Sequence, residues 1–467
     1  MANKLFSGTL ILSLSNSSIR IISFILLPIM TMYLTPSDYG IISIVVLINT
    51  FISIILNPGL ISATMRLFYD YETEQDKIEL FGSALILFLF ISVIVCGFFI
   101  YYGEYLSKYF LSEFPFYPYG IYAIIIAFLT QTTKLWDILY RIRNKIISIA
   151  IISFINVLIN LSVSIYTVVY LDYGVYGRIL GMLVASSFSF IFTFSILIKY
   201  TRFNFSLPII KKIIFLGYPL LFGIIATAIL NVGDRLIIEK FLGLAKLGIY
   251  ETAYKIGTVP IFLSVGFKKM WVPYFYENVK SNNIKDIKKD SKAFISILIF
   301  GILSLLIILP EVYTFLIGTK YWEGIKLVPP IILGTYLLLL SIITNAILSY
   351  DKKFKLITLF LIVAAVTNIL LNIFLIKYFG IIVASIATFF AYFIQFYLSF
   401  IYTKKTKHSL INSKIFWGSI ILLIVSSLHI YVYGVYFSTY ILLSKIIFVI
   451  LFAFLIKKIF LADFKFK

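Results

Sequence analysis

The sequence predicts an all-α, polytopic membrane protein with about fourteen transmembrane helices. Three observations predict it. Of the 467 residues, 61% are apolar and 13% charged, and the mean hydropathy is +1.04; soluble domains run at about 45–50% apolar and about 25% charged. The apolar residues gather in runs of about 20 or more, enough to cross a hydrocarbon core. The basic residues sort to one side of those runs. This composition excludes a soluble enzyme, a nucleic-acid-binding domain and a secreted disulfide scaffold. A net charge of +20 would suggest nucleic acid in a soluble chain, but here it reports orientation. Cys96 is the only cysteine, so no internal disulfide or cysteine metal cluster can form; two histidines, His408 and His429, make a histidine-built metal site unexpected. No cofactor is expected.

The runs are read in order. Span 1, at 8–33, extends far beyond the apolar core of a signal peptide and has no small-residue cleavage site, so it reads as membrane-spanning. Pro36 to Gly40 cuts it from span 2, at 40–64. A charged loop leads to span 3, at 80–103, and Pro115 to Gly120 opens span 4, at 118–140. Arg141, Arg143 and Lys145 separate it from span 5, at 146–171; a short hairpin leads to span 6, at 175–198. Spans 7 and 8 are at 213–239 and 248–275. Span 9, at 293–317, ends at Gly318 to Gly324, and span 10, at 327–350, ends at Asp351 to Lys355. Spans 11 to 14 are at 354–377, 381–401, 415–434 and 438–459.

With the N-terminus inside, the inward segments hold 26 lysines and arginines and the outward segments 7. Positive charge in short loops marks the cytoplasmic side. Both termini are therefore expected in the cytoplasm. No outward loop exceeds about 15 residues, which is little room for the acceptor chemistry of a membrane glycosyltransferase or polymerase.

The chain resembles itself at an offset of about 206–212. Tyr33 to Ile41 (YLTPSDYGI) aligns with Phe241 to Ile249 (FLGLAKLGI) at 208. Tyr140, Arg143 and Lys145 align with Tyr350, Lys353 and Lys355 at 210, Asn156 and Asn160 with Asn368 and Asn372 at 212, and Tyr173-Gly174-Val175 with Phe379-Gly380-Ile381 at 206. The unit is six spans. Six is even, so both copies share one orientation, as in transporters whose halves are related by an axis along the membrane normal. The expected organisation is a six-helix lobe at 1–205, a second at 206–405 and two further helices at 406–467.

Ionisable residues inside spans are costly and mark function by default. Arg20 sits near the middle of span 1, with Asn16 one turn away on the same face. Asp234 and Arg235 lie near the outer end of span 7, with Asn231 one turn before Arg235; Glu251 and Lys255 share a face in the outer half of span 8. Lys134 and Asp137 lie near the inner end of span 4. The competing reading is local pairing: Asp234 with Arg235, Glu251 with Lys255, and Lys134 with Asp137. Arg20, Arg235, Lys255 and Lys134 are the candidate cavity cations, Asn16 and Asn231 their polar support. Few deep acids match them, which suits an anionic substrate such as a diphosphate head group.

Pro36 to Gly40 (PSDYG), Arg66 to Glu72 (RLFYDYE), Gly233 to Gly257 (GDRLIIEKFLGLAKLGIYETAYKIG) and Tyr378 to Thr388 (YFGIIVASIAT) resemble the polysaccharide-transport family of oligosaccharide flippases, relatives of the MATE exporters and lipid II flippases. The resemblance implies a MATE-like bundle of two six-helix lobes around a lumen, with a 6+6 parallel repeat and two extra helices. It implies transfer of polyprenyl-diphosphate-linked oligosaccharide repeat units across a bacterial or archaeal cytoplasmic membrane, for O-antigen, capsule or exopolysaccharide synthesis. It also implies contact with membrane lipids, coupling to H+ or Na+ with Asp234 and Glu251 as candidates, and a polysaccharide polymerase and chain-length machinery as partners. The alternatives are a MATE-like drug/cation antiporter, which calls for a deep acidic site, and a membrane glycosyltransferase or polymerase.

Overall fold

The computed structural model describes residues 24–201, 203–406, 409–435 and Lys445, with backbone alone at 263–265, 429 and 433. Every regular element among these residues is helical, as the apolar runs require: in lipid, a helix satisfies its own backbone hydrogen bonds. Span 1 appears as α1 (Phe24–Tyr33). Span 2 is α2 (Pro36–Leu56) followed by a bend and α3 (Leu60–Leu67); span 3 is the long α4 (Glu74–Phe110). Spans 4 to 6 are α5 (Phe116–Ile142), α6 (Ile146–Ile165, extended by a wide turn to Tyr170) and α7 (Gly174–Thr201).

The segment TPSD starts α2 directly. Thr35 accepts from the Asp38 amide at 3.2 Å, and the Asp38 carboxylate accepts from the Thr35 amide at 2.8 Å, a reciprocal cap with proline in the first turn. Where Pro36 to Gly40 is expected to separate spans 1 and 2, the helix in fact begins at Pro36, so only Leu34 and Thr35 separate α1 from α2.

Span 7 is the least regular. It consists of α8 (Leu207–Gly217), a tight turn at Tyr218–Leu220 containing Pro219, α9 (Leu221–Ala228), a wide turn at Ile229–Gly233, and the first part of α10 (Asp234–Gly257). Inside α10, Gly243 has φ +82, which ends span 7 and turns the chain into span 8. Span 8 continues as α11 (Ile261–Lys280), span 9 is α12 (Ile284–Ile307) with α13 (Leu309–Leu316), and spans 10 to 13 are α14 (Val328–Tyr350), α15 (Phe354–Phe379), α16 (Ile382–Lys404) and α17 (Ser413–Tyr433). Of span 14 only Lys445 is described.

The chain forms two compact units that divide between Gly248 and Ile249. In the first, α5 packs on α7 and α2, and α6 packs on α7, around buried Phe81, Phe88 and Trp136. Span 7 belongs here because α8 packs on α3 and α4 and α10 is tied to the loop after α4. In the second unit α14 is central: 83% of its apolar window is buried, against 17% for α6, and it packs along α16, which packs on α15. The exposed faces are apolar, as at Val93, Tyr101 and Ile191, the arrangement expected where lipid is the solvent.

The repeat is visible in local geometry. α5 and α14 end in the same turn: the amide of Lys145 donates to Tyr140 O and that of Asn144 to Arg141 O, as Lys353 does to Leu348 O and Lys352 to Ser349 O. Both turns place a left-handed residue after the cap, Asn144 (φ 55) and Lys352 (φ 57). The structural offset here is therefore 208, not the 210 read from Tyr140 and Tyr350. Gly174 and Gly380, aligned at 206, also both have positive φ. Within the first unit, Gly40 and Gly248 form one close crossing. A Cβ on Gly40 would lie 2.1 Å from Leu244 O, and one on Gly248 would lie 1.9 Å from Pro36 O. Leu244 is the repeat counterpart of Pro36, and Gly248 of Gly40, so the contact is reciprocal, as across a two-fold axis.

Candidate functional site

In the first unit an open cavity of about 660 Å³ lies beside the bend of α2 and α3 and the broken part of span 7. Its polar lining is neutral: Thr50, Ser62, Thr227 and Asn231. Asn231 is exposed and belongs to the wide turn Ile229–Gly233, which leaves the helix ladder irregular at a cavity wall, where such breaks are tolerated in membranes.

Three residues further on, the charges are not open to the cavity. Arg235 Nη1 donates to Asp234 Oδ1 at 2.9 Å and to the carbonyl of Asn231. Asp234 and Arg235 are 1% and 4% exposed. The pairing expected of adjacent opposite charges is present, so Arg235 carries a compensated charge. Glu251 and Lys255 are half-buried, one turn apart on the part of α10 that belongs to the second unit. Arg20 and Asn16 lie outside the described residues.

Lys134 is exposed on α5. It shares a face with Thr130, Asp137 and Arg141, at i−4, i+3 and i+7, a stripe of polar side chains along α5. The expected Lys134–Asp137 pair does not form: Asp137 takes Arg141 instead, at 2.7 Å. Lys134 has no carboxylate within ion-pair distance among the described residues. Lysine on such a stripe belongs against water, not hydrocarbon.

Sequence reasoning missed two groups. Arg178 fell in the outward-loop count, yet it is the fifth residue of α7. Its Nη1 donates to Asn160 Oδ1 at 2.7 Å and to Ser164 Oγ at 2.8 Å, both on α6. Asn160 and Ser164 are one turn apart on the preceding span, a pattern that could have pointed to it. Glu239 is fully buried and accepts the backbone amides of Ser112, Glu113 and Phe114 at 2.7–3.1 Å. Glu113 in turn accepts the Leu244 amide at 2.8 Å. The GDRLIIEKFLG segment is thus clasped to the loop after α4, and the segment's acid is structural.

Each buried carboxylate among the described residues is answered in this way. Asp234 faces Arg235, Glu239 holds three amides, and Glu311 accepts from Lys445 at 2.9 Å. Arg143 donates to Glu74 at 2.7 Å and to the Tyr200 hydroxyl at 2.9 Å, with its guanidinium 4.2 Å from the Tyr200 ring. No group of three or more His, Cys, Asp or Glu able to hold a metal ion occurs among the described residues.

The fold is similar to that of a lipid II flippase, MurJ, in an inward closed conformation: TM-score 0.76 and 19% identity, covering 97% of this chain and 98% of that one. It is also similar to an inward-facing multidrug resistance MATE family transporter of the MOP superfamily (TM-score 0.68, 14% identity, 84% of this chain and 96% of that one). A MOP superfamily transporter from Pyrococcus furiosus shares it less closely (0.57, 16%, 85% and 96%). The expected fold class, an all-helical MATE-like bundle, is the one observed. No curated protein sequence matches the chain. The family described as polysaccharide biosynthesis protein matches residues 29–327. That span is well over half of the chain and holds the TPSD cap, the broken span 7 and the clasped GDRLIIEKFLG segment: this multi-pass membrane protein belongs to the polysaccharide biosynthesis protein family.

Proposed function

We propose that the protein is a flippase that moves polyprenyl-diphosphate-linked oligosaccharide repeat units across the cytoplasmic membrane for surface polysaccharide synthesis. One observation carries the reading: this member of a polysaccharide biosynthesis family shares its fold with a lipid II flippase over 97% of its length, against 84% for a MATE transporter that is itself 96% covered. The difference is of the size of the two helices beyond the 6+6 repeat, at 406–467. The buried acids argue against the drug/cation antiporter, because a carboxylate already holding a cation or three amides offers little to a cationic drug.

In this reading the lobes are 1–205 and 206–405, and they alternate access to a lumen. Arg20, Lys134, Lys255 and Arg235 are its cations, with Asn16 and Asn231 as polar support. The paired state of Arg235 shifts the weight of diphosphate binding toward Arg20 and Lys134. The lipid tail stays in the bilayer while the head group crosses. The protein moves its substrate without changing it chemically, both termini are cytoplasmic, and H+ or Na+ coupling through Asp234 or Glu251 and hand-over to a polysaccharide polymerase belong to the same proposal.

The test is a leaflet-accessibility assay in proteoliposomes, with a polyprenyl-diphosphate oligosaccharide labelled on its sugar. Protein-dependent exposure of the sugar on the opposite face, abolished in Arg20→Ala, is expected. Absence of translocation with several head groups, together with gradient-driven movement of cationic dyes, would refute the reading in favour of the antiporter.

A further inference from the structure

We propose that Arg178, aimed by Asn160 and Ser164, is an oxyanion subsite for the transported head group in the outer half of the first unit. The inference rests on the flippase reading for the identity of the ligand, but not for its existence. Arg178 is half-buried and shares a face of α7 with buried Ala185 and Ser189, at i+7 and i+11. The lipid-exposed face carries Tyr176, Val184 and Ile191 instead. The guanidinium therefore turns away from hydrocarbon.

Its bonds to Asn160 and Ser164 use Nη1 only. Nε and Nη2 have no partner among the described residues, and no carboxylate there lies within ion-pair distance. Arginine stays protonated in proteins, so this is a fixed positive charge steadied by neutral oxygens. Its open edge, Nε with Nη2, is the fork that fits a phosphoryl or carboxylate group bidentately.

The fold does not require this charge. At the repeat offset of 206 set by Gly174 and Gly380, Arg178 corresponds to Ala384, which is fully buried. α16 packs along α15 there without a cation. By the charge sorting of the loops, the start of α7 faces outward. An anion held there sits where the head group leaves the protein. Two sources share the chemistry: the diphosphate, and the carboxylate of an acidic sugar in the repeat unit.

The test uses the purified full-length protein in detergent, with inorganic pyrophosphate and D-glucuronate as probes and affinity read by calorimetry at low salt. Saturable binding of at least one probe is expected. Arg178→Gln should weaken it about tenfold or more, the size of a lost hydrogen bond to a charged group; Arg178→Lys should weaken it less. Lys108→Gln, which removes a solvent-exposed charge at the outer end of α4, controls for general electrostatics. Asn160→Leu keeps the charge but removes its guide, and covers the case in which Arg178→Gln does not fold. Pyrophosphate selectivity assigns the diphosphate; glucuronate selectivity assigns the sugar. Binding by neither probe, or equal affinity in wild type and Arg178→Gln, overturns the subsite. Intact Arg178-dependent binding without sugar translocation would refute the flippase reading and leave the subsite standing.

Discussion

Alanine at Gly40 or Gly248 should destabilise the protein, and the two substitutions should be strongly coupled. A Cβ at Gly40 would stand 2.1 Å from Leu244 O, and one at Gly248 1.9 Å from Pro36 O. To reach 3.0 Å, below which such contacts essentially never occur, the backbones must separate by 0.9 Å and 1.1 Å respectively. The obstacle is a backbone carbonyl on a helix, which cannot swing aside as a side chain would. Overpacking costs about 1–3 kcal/mol, and alanine returns at most about 1 kcal/mol of helix propensity. A net loss of about 2 kcal/mol per single substitution is expected at this crossing. One separation of the two segments relieves both clashes, because the contacts are reciprocal. The double variant should therefore cost little more than either single one, a large departure from additivity. Gly97→Ala is the control, since a Cβ there meets nothing within 4 Å; it should be neutral or stabilising. Thermal midpoints of the detergent-purified variants, followed by size-exclusion fluorescence, report the outcome. Single variants that melt with Gly97→Ala, or a double variant that loses the full sum, would refute the reciprocal crossing.

Glu239→Gln should lower the thermal midpoint by several degrees, because a neutral amide cannot accept three converging backbone amides and an unmet buried donor costs about 1–3 kcal/mol; Glu104→Gln, at an exposed pair, should leave it unchanged. Glu311→Ala or Lys445→Ala alone should cost about 3–5 kcal/mol in melting assays, since each leaves a buried charge unpaired, whereas Glu311→Met with Lys445→Met should recover most of that loss. After Cys96→Ser removes the only native thiol, a cysteine at Lys320 should react with an impermeant maleimide on intact cells, and one at Lys353 only after permeabilisation; the reverse pattern would overturn the charge-based orientation.

The spans were legible because mean hydropathy integrates over about 20 residues and tolerates local error. Thirteen of the fourteen expected runs coincide with described helices, if only the last part of span 1 is counted. Breaks within a run were not legible. In span 7 the wide turn at Ile229–Gly233 occurs in sequence that stays apolar, and hydropathy is blind to it, whereas the reversal at Gly243 falls in the gap expected between spans 7 and 8. The repeat showed through where backbone conformation is demanding, at Gly174 and Gly380, and slipped by two residues where tyrosines suggested a false match.

The charges divide differently, and the division bears on function. Arg235 has an acid at i−1, Arg141 at i−4 and Lys255 at i−4. For Arg235 and Arg141 the local pair forms. Arg178 has no acidic residue within four positions on either side. Counting it as loop charge used its place in the topology and ignored that asymmetry. A membrane helix gains nothing from an arginine whose neighbours cannot neutralise it, so its counter-charge must come from elsewhere. Its partners on α6 are neutral, and the repeat puts alanine at the same place. The cation is therefore better explained by an anion that comes and goes than by packing. In a protein proposed to carry a diphosphate, an unneutralised fork has a use that a salt bridge would remove, because a permanent carboxylate partner would have to be displaced at every turnover.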